Sequence, residues 1–220
     1  MNSMSKDSIA ELMPSIIKQE AMQAKAYVVL AHGAGADKSS DFLEQIAAML
    51  NDKQISVLRF NFHYMDKRLA DGKRYPPDRM PKLMACFTKV LAELETSLPV
   101  FLLGKSMGGR VAAMLAAQGD IQANGVICLG YPFHPQKQPQ KLRLEPLQQT
   151  KLPMLILQGE RDALGNQEEI ADYSLSERVR IEFFPDGDHD LKPRKKSGYS
   201  HQQHLINAVE LIGTFIDELS

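Results

Sequence analysis

A serine between two glycines is the first feature of this sequence that could do chemistry. Residues 104–108 read Gly-Lys-Ser-Met-Gly and match the pattern G-x-S-x-G, with Ser106 at the centre. An apolar run, Val100 to Leu103, precedes the pattern, and a helical stripe from Met107 to Gln118 follows it. In such a strand–turn–helix setting the serine is lifted above a sheet as a nucleophile. A phosphate-binding turn is the alternative, but the dinucleotide and Walker patterns are absent.

A nucleophilic serine needs a base, and the base needs an acid that orients it. In folds with this kind of turn the chain order is serine, acid, histidine. Asp162 follows the apolar run 154–157, and His189 lies in a tight turn after the run 179–184. The sequence therefore predicts a catalytic triad of Ser106, Asp162 and His189. Taken singly, Asp162 could be a turn residue and His189 a surface histidine. The rival acids flank the histidine, at Asp186, Asp188 and Asp190.

Two backbone N–H groups should stabilise the oxyanion that forms during acyl transfer. One is expected from Met107, and the other from Ala34 in the glycine-rich loop 32–37, named here the oxyanion loop. His32 could act as a base, but His189 already fills that position, so ordering of the loop is favoured. The candidate pocket-lining residues are His32, Gly33, Gly35, His63 and His134.

The elements that position these residues alternate along the chain. Short apolar runs, typical of strands buried on both faces, begin at residues 27, 55, 100, 126 and 154. The run 179–184 alternates apolar and charged residues, which suits a strand near a sheet edge. Helical stripes fill most of the gaps, and Asp41 with Glu44 is expected to cap the first helix. This order predicts a three-layer α/β fold with a mostly parallel sheet of six to seven strands and helices on both faces.

We expect one domain over residues 25–220, preceded by an N-terminal segment, 1–24, that holds a reduced first strand or a helix. Two connections, 61–79 and 131–151, look irregular and are either functional or solvated surface. The second has about twenty residues, too few for a cap domain, so only a minimal lid is expected.

Composition excludes several classes of protein. The 220 residues carry a net charge of −1, which argues against nucleic acid as a partner. No apolar run is long enough to span a membrane and no signal-peptide pattern is present, so a cytoplasmic protein is expected. Cys86 and Cys128 lie in apolar segments and are expected to be buried and unpaired. His201 and His204 lack further ligands for a metal site. Neither a cofactor nor a metal is expected.

As a set, six motifs resemble a known family: HGAGAD, RFNFHY, GKSMGGR, LGYPFHP, LQGERDALG and GDHDLK. They are similar to the small α/β-hydrolases that include the testis-expressed hydrolase-like proteins, a domain type also found in a subunit of a chromatin acetyltransferase complex. The likeness extends distantly to dienelactone hydrolases, which use cysteine where this sequence has Ser106. The resemblance to the small α/β-hydrolases implies an α/β-hydrolase fold with Ser106, Asp162 and His189 as the triad. It also implies that residues His32 to Ala36 of the oxyanion loop serve the oxyanion hole.

The leading hypothesis is thus a serine hydrolase that cleaves an ester, thioester or amide of a small molecule or acylated macromolecule through an acyl-enzyme. One alternative is a non-catalytic hydrolase-fold module that binds a protein partner, a partner that the sequence itself does not indicate. Another is an acyltransferase that uses the same triad. The intact set of three residues favours catalysis over a binding module.

Overall fold

Seven strands form one twisted sheet in the computed structural model, which describes residues 13–220. The strands are β1 (Ile16–Gln19), β2 (Ala26–Ala31), β3 (Ile55–Phe60), β4 (Val100–Lys105), β5 (Gly125–Leu129), β6 (Met154–Gly159) and β7 (Val179–Phe184). Their spatial order is β1-β3-β2-β4-β5-β6-β7. β1 pairs with β3 in antiparallel fashion, and every other pairing is parallel. The predicted mostly parallel sheet is confirmed.

Helices cover both faces of the sheet and complete the three layers. They are α1 (Asp41–Asp52), α2 (His63–Asp71), α3 (Met80–Ala92), α4 (Met107–Gln118), α5 (Glu145–Gln148), α6 (Gln167–Ala171) and α7 (His201–Asp217). One core cluster joins the sheet to α1 and α7. The other joins its opposite face to α2, α3, α4, α5 and α6. Because β2 and β5 are buried on both sides, their sequences are apolar throughout rather than alternating.

The alternating sequence of β7 reflects its place at the edge of the sheet. Five of its six residues are only partly buried. At the opposite edge lies the short strand β1, within the predicted N-terminal segment. Residues 1–12 of that segment lie outside the described residues.

Two local predictions were wrong. The connection 61–79 was expected to be irregular, yet it contains α2, whose residues are mostly polar. Only Tyr64 and Met65 of α2 are buried, which explains why no apolar stripe indicated a helix. The cap of α1 is Ser40 rather than Asp41, and Ser40 makes no side-chain cap hydrogen bond. Asp41 instead begins the helix, where its carboxylate favours the positive end of the helix dipole.

The connection between β5 and β6 contains only the short helix α5, so the expected minimal lid is confirmed. Within residues 13–220, no helix has the length and apolar character needed to cross a bilayer. Cys86 and Cys128 are both buried and unpaired, as predicted.

Candidate active site

The turn between β4 and α4 places Ser106 in a backbone conformation that few residues adopt. Its φ and ψ angles are 52° and −112°, a strained region for any residue with a side chain. The turn closes because Gly104 and Gly108 lie against backbone. A Cβ on Gly104 would meet Gly108 C at 2.2 Å, and a Cβ on Gly108 would meet Ala31 O at 2.5 Å. The two glycines of G-x-S-x-G are therefore required by close packing at the turn.

Three side chains from distant parts of the sequence form a continuous hydrogen-bonded chain at the carboxyl edge of the sheet. Ser106 Oγ lies 2.8 Å from His189 Nε2. On the other side of the ring, His189 Nδ1 lies 2.7 Å from Asp162 Oδ2. With Nδ1–H donating to the carboxylate, Nε2 is left to accept the serine proton. The geometry is that of a serine, a general base and an orienting acid.

The Asp162 carboxylate is held by groups other than the histidine. The residue is buried, with 1% of its surface exposed. Its Oδ1 accepts from the Leu164 backbone N–H at 2.8 Å, and its Oδ2 accepts from Gln158 Nε2 at 2.9 Å. The same Gln158 Nε2 also lies 3.2 Å from the Tyr131 carbonyl oxygen and 2.9 Å from the Gly165 carbonyl oxygen, so its two hydrogens are shared among three acceptors, which fixes the orientation of the amide. Sequence reasoning missed Gln158, although a polar residue at the end of an apolar strand is a signal that could have indicated it.

The rival aspartates have other partners. Asp186 pairs with Arg194 and Arg161. The Arg194 guanidinium lowers the pKa of the Asp186 carboxyl. Asp188 Oδ1 accepts backbone N–H groups of its own turn. Asp190 pairs with a lysine described below, which leaves Asp162 as the carboxylate on the His189 ring.

Lys105, the residue between Gly104 and Ser106, connects the turn at Ser106 to the turn at His189. Its Nζ donates to the His189 carbonyl at 2.7 Å and lies 3.1 Å from Asp190 Oδ1. Burial lowers the pKa of Lys105, and the neighbouring Asp190 carboxylate opposes that effect. Lys105 therefore holds the backbone of the turn that carries His189 in place. Sequence reasoning assigned it no role, because the x position of the motif carries no general requirement.

The oxyanion loop is anchored through His32, which is fully buried beneath it. His32 Nδ1 lies 2.6 Å from the Gly33 carbonyl, and Nε2 accepts from the Phe62 backbone N–H at 3.0 Å. Burial lowers the pKa of His32 to about 4, so the ring is neutral near pH 7. His32 therefore orders the loop, the role that the sequence favoured, and does not line a pocket.

Residues 59–64, the RFNFHY motif, support the rest of the loop. The Tyr64 hydroxyl donates to the Ala34 carbonyl at 3.1 Å, and burial raises its pKa to about 12, which keeps it a donor. At the far end, Asn61 Oδ1 accepts from the Lys38 N–H and Arg59 Nη1 donates to the Lys38 carbonyl, each at 2.8 Å. The motif, for which the sequence offered no role, thus holds the loop at both ends.

The two predicted oxyanion donors are backbone N–H groups that have no backbone acceptor among the described residues. Met107 is the first residue of α4, where a backbone N–H has no partner within the helix. Across residues 13–220, neither Met107 nor Ala34 donates its N–H to another backbone group. Their assignment as oxyanion donors stays a prediction, and among the described residues no backbone acceptor competes for either N–H group.

Comparison with known proteins agrees with this architecture. The family model described as an alpha/beta hydrolase domain matches residues 24–217. The chain belongs to this α/β-hydrolase family. Among similar solved structures is dienelactone hydrolase from Anabaena variabilis, at 20% identity and a TM-score of 0.65, over 93% of this chain and 91% of that one.

Two further structures are similar to this α/β-hydrolase. An alpha-beta serine hydrolase homologue from Coxiella burnetii is 17% identical, with a TM-score of 0.67, over 93% of this chain and 91% of that one. Est1E from Butyrivibrio proteoclasticus is 14% identical, with a TM-score of 0.64, over 93% of both chains. At these identities the likeness shows a shared fold.

A cavity of about 550 Å³ opens in front of Ser106 and His189 in this α/β-hydrolase. Of the predicted lining residues, Gly33 and Gly35 line it, together with Ala34. The sequence missed several others: Phe42 and Leu43 of α1, Lys105, Asp190, Lys192, and His201 of α7. Asp190 and Lys192 are close to His189 in sequence and could have been found by that proximity.

Two predicted lining residues lie elsewhere. His63 lines a separate groove on the other side of Tyr64, because it begins α2 rather than lying in a loop. His134 is buried against α6, where Nε2 lies 3.2 Å from Glu169 Oε2. Both expectations for these histidines as walls of the Ser106 cavity were wrong.

Proposed function

We propose that this α/β-hydrolase is a serine hydrolase that cleaves an ester, thioester or amide bond through an acyl-enzyme. The observation that carries the proposal is the hydrogen-bonded chain from Ser106 Oγ through the His189 ring to Asp162, with both distances below 3 Å. The serine hydrolase homologue and the dienelactone hydrolase to whose folds the chain is similar are consistent with it.

In the proposed reaction, Ser106 Oγ attacks the substrate carbonyl carbon while its proton passes to His189 Nε2. Asp162 holds the imidazole in the required tautomer and stabilises the imidazolium that forms. The oxyanion of the tetrahedral intermediate accepts from the backbone N–H groups of Met107 and Ala34. His189 then protonates the leaving group, and the C–O, C–S or C–N bond breaks.

The second half of the reaction regenerates the enzyme. Water enters beside the acyl-serine and gives a proton to His189 Nε2 as its oxygen attacks the acyl carbon. The second tetrahedral intermediate collapses, the acid leaves, and the proton returns to Ser106 Oγ. An acceptor other than water would make the same site an acyltransferase.

The proposal extends to narrower assignments made from the sequence. On the motif set, we propose that the chain is related to the small testis-expressed hydrolase-like branch of the family and forms a single domain over residues 25–220. Two buried, unpaired cysteines are consistent with a reducing compartment, so we place the protein in the cytoplasm. The proposed substrates are small molecules or acylated partners.

A fluorophosphonate probe tests the triad without knowledge of the substrate, since labelling needs an activated serine and an oxyanion hole. We expect the wild type to be labelled, Ser106→Ala to be unlabelled and His189→Ala to react far more slowly. Asp162→Asn should lose about 10⁴-fold in turnover of an ester substrate, the loss known for the corresponding change in one other Ser-His-Asp triad.

Asp188→Asn is the matched control for the acid. It makes the same chemical change at the residue directly before His189, and the asparagine Oδ1 can still accept the backbone N–H groups of its turn. If Asp188→Asn cripples turnover while Asp162→Asn does not, the assignment of the acid is refuted. If the folded wild type resists the probe, a non-catalytic binding module is the better description.

A further inference from the structure

A second cavity lies next to the candidate active site. It is a groove of about 620 Å³ between α2, the loop 72–79 and α3. We name it the basic groove. Apolar and aromatic side chains line much of it, at Tyr75, Pro76, Pro77, Ala85 and Cys86. The groove is therefore large enough for an organic ligand and has a surface that would pack against an apolar chain.

The charges that line the basic groove are mostly of one sign. Four cations line it, Lys67, Arg79, Lys82 and Lys89, against a single carboxylate, Asp78. Lys67 Nζ lies over the Tyr75 ring, 4.1 Å from its centroid. Within residues 13–220, Arg79 and Lys82 have no ion pair or hydrogen bond from their side chains, so their charges are available to a ligand.

The Ser106 cavity has a different balance. Its charged lining consists of Lys105 and Lys192 against Asp41 and Asp190, and Lys105 is already paired with Asp190. An anionic group is therefore attracted to the basic groove rather than to the space directly in front of the serine.

Tyr64 links the linings of the two cavities. Tyr64 lines the basic groove, while its hydroxyl donates to the carbonyl of Ala34, which lines the Ser106 cavity. Arg68 reinforces this link, because its guanidinium lies 5.0 Å from the centre of the Tyr64 ring. A single hydrogen bond, from the Tyr64 hydroxyl to the Ala34 carbonyl, therefore joins the lining of the basic groove to the lining of the Ser106 cavity.

We infer that the basic groove binds the far end of the substrate, and that this end carries a carboxylate on an apolar chain. This inference rests on the proposed function, and it names the class of ester that the enzyme should prefer. The apolar lining packs against the apolar chain of the substrate, and Arg79 and Lys82 bind its carboxylate. The guanidinium fork of Arg79 matches a carboxylate in a way that an ammonium does not.

The test compares two series of p-nitrophenyl esters of equal chain length. One series is made from fatty acids and is neutral, and the other is made from dicarboxylic acids and ends in a carboxylate. At low salt we expect kcat/KM to favour the charged series by about tenfold at one chain length, the gain expected from two exposed ion pairs. The preference should shrink with added salt.

The double variant Arg79→Gln/Lys82→Gln should bring the ratio of charged to neutral ester close to one. The matched control is Lys195→Gln/Lys196→Gln, which removes two exposed lysines beyond His189 that line neither cavity. This control should leave the ratio as in the wild type. If both double variants lower the ratio equally, general charge explains the preference and the basic groove is refuted.

The outcomes separate this inference from the proposed function. A wild type that hydrolyses both series at equal rates overturns the inference alone. A wild type that reacts with no fluorophosphonate overturns the proposed function and, with it, the inference. If the protein is labelled but turns over neither ester, the same ratio is measured as labelling rates of a neutral and a carboxylate-ended fluorophosphonate. A ratio near one overturns the inference there too.

Discussion

Acid should destabilise this protein through one buried histidine. His32 is fully buried, and its Nε2 accepts the Phe62 N–H, while Nδ1–H donates to the Gly33 carbonyl. Protonation of Nε2 would remove the acceptor of the Phe62 N–H and place two N–H groups against each other in a buried site. Burial lowers the pKa of His32 from 6.5 to about 4. Between these two values the unfolded chain binds a proton at His32 that the folded protein does not.

The free energy of unfolding must therefore fall as the pH falls from about 6.5 to about 4. At about 1.4 kcal/mol per pKa unit, the lowered pKa of His32 corresponds to a loss of about 3 kcal/mol. Below about pH 4 both states bind the proton, and His32 contributes no further change.

Urea unfolding of the wild type and of His32→Gln measures this effect, since glutamine can still accept the Phe62 N–H but does not titrate. Other groups titrate equally in both proteins, so the difference in unfolding free energy isolates His32. We expect that difference to shift by about 3 kcal/mol in favour of the variant between pH 7 and pH 4. His201→Gln, a histidine at the start of α7, is the control. A difference that stays constant with pH refutes the reasoning.

Three further changes test the packing around Ser106. Gly108→Ala should lower the free energy of unfolding by about 2 kcal/mol in urea, because its Cβ would meet the Ala31 carbonyl at 2.5 Å. Tyr64→Phe removes the donor to the oxyanion loop, so fluorophosphonate labelling should slow about tenfold while stability changes by no more than about 1.5 kcal/mol. Lys105→Met should slow labelling similarly by freeing the His189 turn, yet unfold at nearly the same urea concentration, since the side chain of its partner Asp190 is 63% exposed and can be solvated.

Local sequence was enough to predict the sheet and the order of its strands along the chain. The central strands are buried on both faces, so each appears as a short apolar run between polar segments. The relative positions of Ser106, Asp162 and His189 were also predictable, because each follows the end of a strand and parallel strands end at one edge. Their roles remain a prediction until they are tested.

Features that depend on contacts between distant segments could not be predicted. Helix α2 buries only two residues, so its sequence resembles a solvated loop, and the basic groove that it forms was hidden with it. The role of Lys105 depends on a carbonyl 84 residues away, and that of Gln158 on the fold of the turn after β6. A residue pattern along the chain has no information about such pairs.

The hydrogen-bonded residues Ser106 and His189 are far apart in the sequence, and this separation has a consequence for biosynthesis. Ser106 and His189 are 83 positions apart, and the histidine follows β7, the last strand to be made. During translation the nucleophile turn can form while the base is still absent from the growing polypeptide. A ribosome-bound chain that ends before residue 189 therefore carries an unactivated serine, and it gains the full set of reacting groups only when β7 and the turn with His189 have been synthesised. Reactivity toward a fluorophosphonate thus reports that the polypeptide has been made and folded at least as far as His189.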